Sequence, residues 1–413
     1  MFTLYNFVLF AAWATFALWL VGAFFTLRGI KRQRPLDAVA NGIAQESAPL
    51  VSLLVPARNE AGRVLARAIS SMLAQDYEPL EAIVVNDRST DATSEILRSL
   101  QKKSDRLRVV DGAELPAEWL GKPHAMQQAY ELARGEWLLA TDADVIFDSR
   151  AVRTAINYAQ AGGYDALTFI PHVECETFWE RVFMPTFGWF MLISRPVERV
   201  NDSRRREAVG VGGFFLIHRR WLERVGAWRG VRAEVAEDLR LAEVLKAAGA
   251  RLRVEYAPTL VRTRMQTNLS EIWEGFTKNL YAGARFNSWS AFAGGFAVLL
   301  FSVAPVFLFA ACLISAAFSS RGDTAAWFGL ALPNLLVWAA QFATFAVVNR
   351  ACGVPVRYAV FAPLGHLLFV LILFNSTIRI LTGRGVTWKG RVLYDQTGVR
   401  PPTQRSETVT ANE

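Results

Sequence analysis

The chain has 413 residues, of which 52% are hydrophobic and 20% charged, and it carries a net charge of +8. The apolar residues gather at the N-terminus and beyond Trp289, a segregation that excludes a wholly soluble or disordered chain. No basic run is interleaved with aromatics on a nucleic-acid fold, so the positive charge is assigned to membrane flanks and no nucleic acid partner is expected. Cys175, Cys312 and Cys352 show no paired spacing, which argues against a disulfide framework or a zinc site.

In chain order, residues 4–27 form an uncharged apolar run, long enough to cross about 30 Å of hydrocarbon. No basic residue precedes this run and it exceeds a typical leader core, so it reads as an anchor. Arg28, Lys31, Arg32 and Arg34 follow at once, which places the N-terminus outside and the next segment in the cytoplasm. The expected divisions are a transmembrane helix over 1–28 and a basic linker over 29–49.

From Val51 short β-rich runs alternate with helical stretches, the pattern of a parallel α/β sheet, and 50–265 reads as one catalytic domain. Strands are predicted at 51–55, 80–85, 106–110, 137–140 and 209–217, with a helix over 122–134. Functional groups in open α/β sheets gather at the carboxyl ends of strands. The first strand ends in Pro56-Ala57-Arg58-Asn59-Glu60, the second in Asn86-Asp87, and the fourth in Asp142-Ala143-Asp144.

Asp142 and Asp144 can offer hard oxygen ligands to Mg2+ or Mn2+, with substrate phosphates completing the shell. The alternative is a turn stabilised by aspartate side chains. Asp87 suits hydrogen bonds from a nucleoside base or ribose, or else a turn between strand and helix. Gly121 lets the backbone approach a ligand, and Lys122 either offsets diphosphate charge at a helix N-terminus or is a solvated lysine. Glu237-Asp238 opens the helix AEDLRLAEVLKAAG; Asp238 is a general base or an acid that stabilises the helix dipole. Gly212-Gly213-Phe214 admits a sugar close to the backbone or marks a bulge. His124, His172, His218 and His366 lack ligand spacing and receive no role.

Residues 268–287 are amphipathic, and 266–290 is expected either in the headgroup plane or as a core helix. Three apolar segments follow at 292–318, 327–348 and 358–380, within a membrane region spanning 291–382. A polar basic tail over 383–413 carries Arg384, Lys389, Arg391, Arg400 and Arg405. Four crossings from an outside N-terminus would leave that tail outside, against its charge. The segment 358–380, with Pro363 and His366, is therefore a candidate for a re-entrant or interfacial segment.

The strings VSLLVPARNE, VVNDRSTDAT, TDAD, the GGF strand and AEDLRLAEVLKAAG occur in the order expected of family 2 glycosyltransferases. The flanking anchors make the chain resemble membrane-bound bacterial members that glycosylate lipids. WLGK and TWKGRVLY resemble members linked with carotenoid, hopanoid or ceramide-type acceptors. The resemblance covers roughly residues 51–391. It implies an α/β, GT-A (Rossmann-like, mostly parallel sheet) cytoplasmic domain, with one N-terminal and about three C-terminal transmembrane or re-entrant helices. It also implies inverting, metal-dependent transfer from a nucleotide-diphosphate sugar, most often UDP-linked, to a membrane lipid at the bacterial inner membrane.

Carried onto this chain, Pro56, Arg58, Glu60, Asp87, Lys122, Asp142 and Gly213 become donor-binding residues. Asp142 and Asp144 become ligands of Mg2+ or Mn2+, and Asp238 the catalytic base. Two departures stand out. Asn86-Asp87 replaces the usual two acids after the second strand, and the Q-x-x-R-W motif of processive synthases gives way to IWEGFTKN. The second departure argues against a polysaccharide synthase. Retention of Asp142, Asp144 and Asp238 argues against a non-catalytic membrane scaffold.

Overall fold

The computed structural model describes residues 2–33, 35–36, 48–395, 399 and 401. The chain divides into two compact units, one made of residues 1–33, 175–194 and 266–379, the other of 34–174, 195–265 and 380–413. Each unit is assembled from segments far apart in sequence.

The strands all belong to the second unit. They are β1 (Val51–Ala57), β2 (Leu80–Asn86), β3 (Leu107–Asp111), β4 (Trp137–Ala140), β5 (Val145–Phe147) and β6 (Ala166–Ile170). After these come β7 (His172–Val173), β8 (Phe215–His218), β9 (Leu252–Tyr256), β10 (Val261–Thr263), β11 (Arg384–Trp388) and β12 (Arg391–Asp395). Seven of them form a sheet in the order β3-β2-β1-β4-β8-β6-β9. β1 runs parallel to β2 and β4, with Val51 opposite both Leu80 and Trp137, while β8 runs antiparallel to β4 and β6. The sheet is mostly parallel, as the strand pattern predicts.

Val51–Val55 is buried at every position because both faces of the sheet are covered. On one face Leu53, Val55, Val84 and Leu139 pack with the helices Leu65–Leu73 and Ala151–Gly162. Leu65, Ala68, Ile69 and Met72 recur at helical spacing to form that contact. On the other face Leu54, Ile83, Val85 and Phe215 pack with the helices Gly121–Leu132 and Glu237–Ala247. Loops leaving the carboxyl ends of β1, β2 and β4 are thereby fixed on a dry, rigid base.

Two stretches of this unit differ from the sequence reading. The strand expected over 209–217 begins only at Phe215, because Gly212 and Gly213 lie in a turn closed by the Phe214 N–H donating to the Val211 carbonyl (3.0 Å). Within the expected tail, β11 and β12 form an antiparallel hairpin, with Trp388 opposite Arg391. Lys389 (φ 45°) and Gly390 (φ 77°) make its two-residue turn, both at the positive φ such a turn demands. The reason is local alternation: Val386 and Tyr394 are buried. Arg34, Arg400 and Arg405 fall outside the described residues.

The first unit is helical. Among the described residues, four stretches are long and apolar enough to cross a membrane: Leu4–Arg32, Ser288–Phe318, Asp323–Ala351 and Val356–Leu381. Trp19 and Trp189 stack with centroids 5.6 Å apart at the core of this unit, beside Val337, Phe345 and Val348. The Trp189 indole N–H donates to the Thr26 hydroxyl (2.9 Å), so the ring's polar edge is satisfied. Trp189 belongs to the helix Phe178–Ser194, which lies in this unit although its sequence position falls within the expected catalytic domain. The helix Leu269–Gly283 is capped by Asn268, whose side chain accepts from the Glu271 N–H (3.0 Å). It buries Ile272, Phe276, Leu280 and Tyr281 within the unit and leaves Trp273 partly exposed.

Candidate active site

The loops after β1 and β2 are bound to each other edge to edge. The Asn59 side-chain carbonyl accepts from the Thr90 N–H (2.9 Å), and the Ser89 hydroxyl accepts from the Asn59 N–H (3.1 Å). Thr93 accepts from the Glu60 N–H (2.8 Å), and Asp91 accepts from the N–H groups of Ala61 and Thr93 (both 3.0 Å). Residues 57–60 and 87–91 therefore form one rim.

Asp87 is buried on this rim, its N–H donating to the Ala57 carbonyl (2.7 Å). Its carboxylate accepts from the Arg88 Nε (3.0 Å) and from the Arg391 Nη1 (2.7 Å). Arg58 donates to the main-chain oxygens of Asp87 (2.7 Å) and Arg88 (2.8 Å). Burial, followed by the nearby positive charge of Arg391, lowers the Arg58 pKa. The Arg58 Nε is buried without a partner. A Cβ on Gly121 would sit 2.6 Å from Asp87 Oδ2 and would collide with the Arg391 guanidinium. The close approach this glycine permits is thus to a pair of protein side chains.

The second half of the site gathers at the carboxyl end of β4. Lys122 Nζ, in the first turn of its helix, bridges Asp142 Oδ1 and Glu237 Oε1 at 2.7 Å each. Burial opposes the ammonium charge, but Asp142, Glu237 and Asp238 together hold it well above the ordinary lysine range. Asp144 lies 3.6 Å from the Arg63 guanidinium. Burial, with Asp142 and Glu60 adding their negative charge, pushes Asp144 up to about 7. Burial likewise pushes Glu237 up to about 7 against the pull of Lys122. Glu60 is raised by burial while Lys389 pulls it down, and its Oε2 is buried without a partner.

Asp238 is oriented by the backbone. Its Oδ2 accepts from the Gly212 N–H and its Oδ1 from the Leu239 N–H, both at 2.7 Å. A Cβ on Gly212 would lie 3.0 Å from Asp142 Oδ2 and Lys122 Nζ, and 3.2 Å from Asp238 Oδ2. Gly213 has ordinary room, with Val145 at 3.5 Å, and its carbonyl accepts from the Thr141 hydroxyl (2.8 Å). Of the two glycines, Gly212 is the one whose size lets the charged groups converge. Lys122, Thr141, Gly212, Trp228, Glu237 and Asp238 line a recess of about 270 Å³, open solvent included.

The structure brings the sequence-predicted residues to one edge of the sheet. Arg58, Glu60 and Asp87 stand at the β1 and β2 loops; Lys122, Asp142, Asp144 and Asp238 stand at the β4 end. Glu60 joins the two halves through its electrostatic interaction with Asp142 and Asp144. Pro56 lies within β1 opposite Val85 and shapes the strand end. Four contributors escaped the sequence reading: Arg63, Glu237 as a partner of Lys122, and the hairpin residues Lys389 and Arg391. Lys389 Nζ donates to the Arg58 carbonyl (2.9 Å) and pairs with the Glu60 carboxylate. Their signal is the cation-glycine-cation turn inside TWKGRVLY.

Among the described residues, no group of three or more His, Cys, Asp or Glu is arranged to hold a metal. Asp142 and Asp144 do supply two carboxylates crowded enough to raise the second. That donor set fits Mg2+ or Mn2+, which bind through one or two carboxylates and take the rest from water and phosphate.

Residues 52–226 match the family described as Glycosyl transferase family 2. That match spans less than half of the chain. The chain is 28% identical over 237 residues to the 4,4'-diaponeurosporenoate glycosyltransferases of Staphylococcus aureus strains bovine RF122 / ET3-1 and USA300. That similarity covers 57% of this chain and 61% of each relative. Among solved structures, the chain is similar to "Mannosyltransferase PcManGT from Pyrobaculum calidifontis in complex with GDP-Man and Mn2+". The TM-score is 0.56 at 20% identity, over 91% of this chain and 99% of that one. The matched region lies in a GT-A fold, α/β with a mostly parallel sheet.

Proposed function

We propose that the chain transfers one sugar, with inversion, from a nucleotide-diphosphate sugar to a hydroxyl or carboxylate of a membrane lipid. The observation that carries this reading is Asp238, held by the Gly212 N–H in a recess shared with Lys122, whose ammonium pairs with Asp142. The name of the Staphylococcus aureus relatives, and the four apolar helices, support a lipid acceptor. UDP is the preferred donor nucleotide by family resemblance.

In this mechanism Asp238 takes the proton from the acceptor as its oxygen attacks the anomeric carbon. The new C–O bond forms as the bond from that carbon to the phosphate oxygen breaks, and the electron pair departs with the nucleoside diphosphate. A single displacement needs no protein nucleophile. Asp142 and Asp144 would hold Mg2+ or Mn2+, which when bound supplies charge neutralisation for the leaving diphosphate. Arg58, Glu60 and Asp87 border the nucleoside end of the site, and Pro56 and Gly213 shape its backbone walls. Lys122 fixes Asp142 and Glu237 and adds positive charge beside the diphosphate.

We place the chain in the bacterial inner membrane with the matched region on the cytoplasmic side, as the basic cluster after the first helix supports. The hairpin and the central sheet belong to one unit, so the chain between residues 266 and 380 must return to the side it left. That takes an even number of crossings, which supports a re-entrant role for Val356–Leu381. The test is to incubate solubilised protein with labelled nucleotide sugars and lipid extract, then weigh the lipids. A lipid heavier by one hexose supports the reading; a polymer, or no labelled lipid from any donor, overturns it.

A further inference from the structure

Arg88 and Arg391 pair with the Asp87 carboxylate, Arg58 donates to the main-chain oxygens of Asp87 and Arg88, and Lys389 stands next along the rim on the Arg58 carbonyl and Glu60. Three guanidinium groups against one carboxylate leave surplus positive charge. That surplus is partly buried, where unbalanced charge is costly. One further observation points the same way: the Arg58 Nε is buried without a partner, while the Glu60 Oε2, also without one, suits a hydrogen-bond donor of the ligand. The rim therefore offers both a cationic surface and unfilled hydrogen-bonding capacity.

Two of these cations come from the hairpin, and the hairpin is built to hold them there. Tyr394 is buried; its hydroxyl donates to the Ala233 carbonyl (2.6 Å) and accepts from the Val235 N–H (3.0 Å). The two-residue turn then sets Lys389 and Arg391 on either side of Gly390. Gly121 keeps the helix start clear for the Arg391 guanidinium. None of this anchoring is needed for a solvated tail.

We infer that the C-terminal hairpin is a wall of the donor site, and that Lys389 and Arg391 bind the phosphates of a nucleoside diphosphate. On entry of that ligand the two side chains exchange Glu60 and Asp87 for phosphate oxygens, and the Asp87 carboxylate turns to the nucleoside. Planar, forked Arg391 suits bidentate phosphate contact, and Lys389 acts as a point charge. The inference rests on the nucleotide-sugar reading and adds to it two residues from beyond the matched region.

The experiment measures binding of UDP, GDP, uridine and guanosine to the solubilised full chain, for wild type, Arg391→Gln, Arg391→Lys and Lys389→Gln. Charge-assisted hydrogen bonds make a loss of about tenfold or more the expected effect on diphosphate affinity for each Gln variant. Nucleoside affinity should change by less than about twofold, and Arg391→Lys should fall between, because only the fork is lost. Thermal unfolding is followed in parallel, and Lys389→Gln at the turn tip serves if Arg391→Gln does not fold. An equal loss for diphosphate and nucleoside overturns the inference and leaves the hairpin a structural support of Asp87. Unchanged diphosphate affinity overturns it too. Wild-type protein that binds neither diphosphate overturns the nucleotide-sugar reading itself, and the inference with it.

Discussion

At the carboxyl end of β4, Asp142, Asp144, Glu237 and Asp238 interact with Lys122 and Arg63, so carboxylates outnumber cations. At the end of β2 the balance is reversed, with Arg58, Arg88 and Arg391 around Asp87. The first end pushes two carboxyl groups up to about 7, and the second lowers an arginine. An acidic surplus suits a hard cation and an acceptor proton; a basic surplus suits a phosphate chain. Neither end alone is a transferase site. In the function proposed above, the two ends along one sheet edge would serve the two halves of a metal-bound nucleotide sugar.

The largest effect expected is at the acidic end. Asp238→Asn keeps the size and one of the two backbone hydrogen bonds, from Gly212 or Leu239, but cannot take a proton, so turnover should fall by about 10²- to 10⁴-fold. Donor affinity should stay within about twofold. Turnover close to wild type in that variant would remove Asp238 from the chemistry. Asp144→Ala comes next. It should weaken donor binding in Mn2+ by about tenfold or more and leave binding in EDTA unchanged. Equal losses in both conditions would dissolve the contrast between the two ends.

Gly121→Ala tests how the basic end is assembled. The added methyl group meets Asp87 and Arg391 well inside contact distance, so stability should fall by about 1–3 kcal/mol, with the Asp87–Arg391 pair displaced. A thermal scan that superimposes on wild type would contradict the tight approach. The smallest effect is a pH slope. Glu237 keeps its proton up to about 7 in the folded chain, against an ordinary value of 4.5. The folded state thus binds more protons than the unfolded one between those values, and stability falls as pH rises through them, then levels off. Glu237→Gln should remove that slope, which amounts to less than about 3 kcal/mol. A variant with the same slope would show that another group causes it.

The acidic end was largely legible in the sequence because its parts are local. An apolar strand followed by Asp142-Ala143-Asp144, and a helix opening on Glu237-Asp238, place their side chains by strand and helix periodicity alone. The basic end was legible only in part. Arg58 and Asp87 sit at strand ends, but one of the two cations on the Asp87 carboxylate lies 304 residues away, and no local period announces such a contact. The same limit explains Gly212, whose small size matters only where Asp142, Lys122 and Asp238 meet in space. The helix Phe178–Ser194 was missed because a 17-residue apolar stretch containing Glu180 reads as part of a soluble core. Glu180 is buried there, accepting from the N–H groups of Glu176 (3.0 Å) and Thr177 (2.6 Å).

The most direct test of the central claim is nucleotide release by solubilised protein. It would be supplied with Mn2+ or Mg2+, a panel of UDP-, GDP- and dTDP-sugars, and lipid extract, with Asp238→Asn as the control. Release from one donor that requires both the lipid and Asp238 is the expected result. Release that proceeds equally without lipid or without Asp238, or no release from any donor by folded protein, would contradict it.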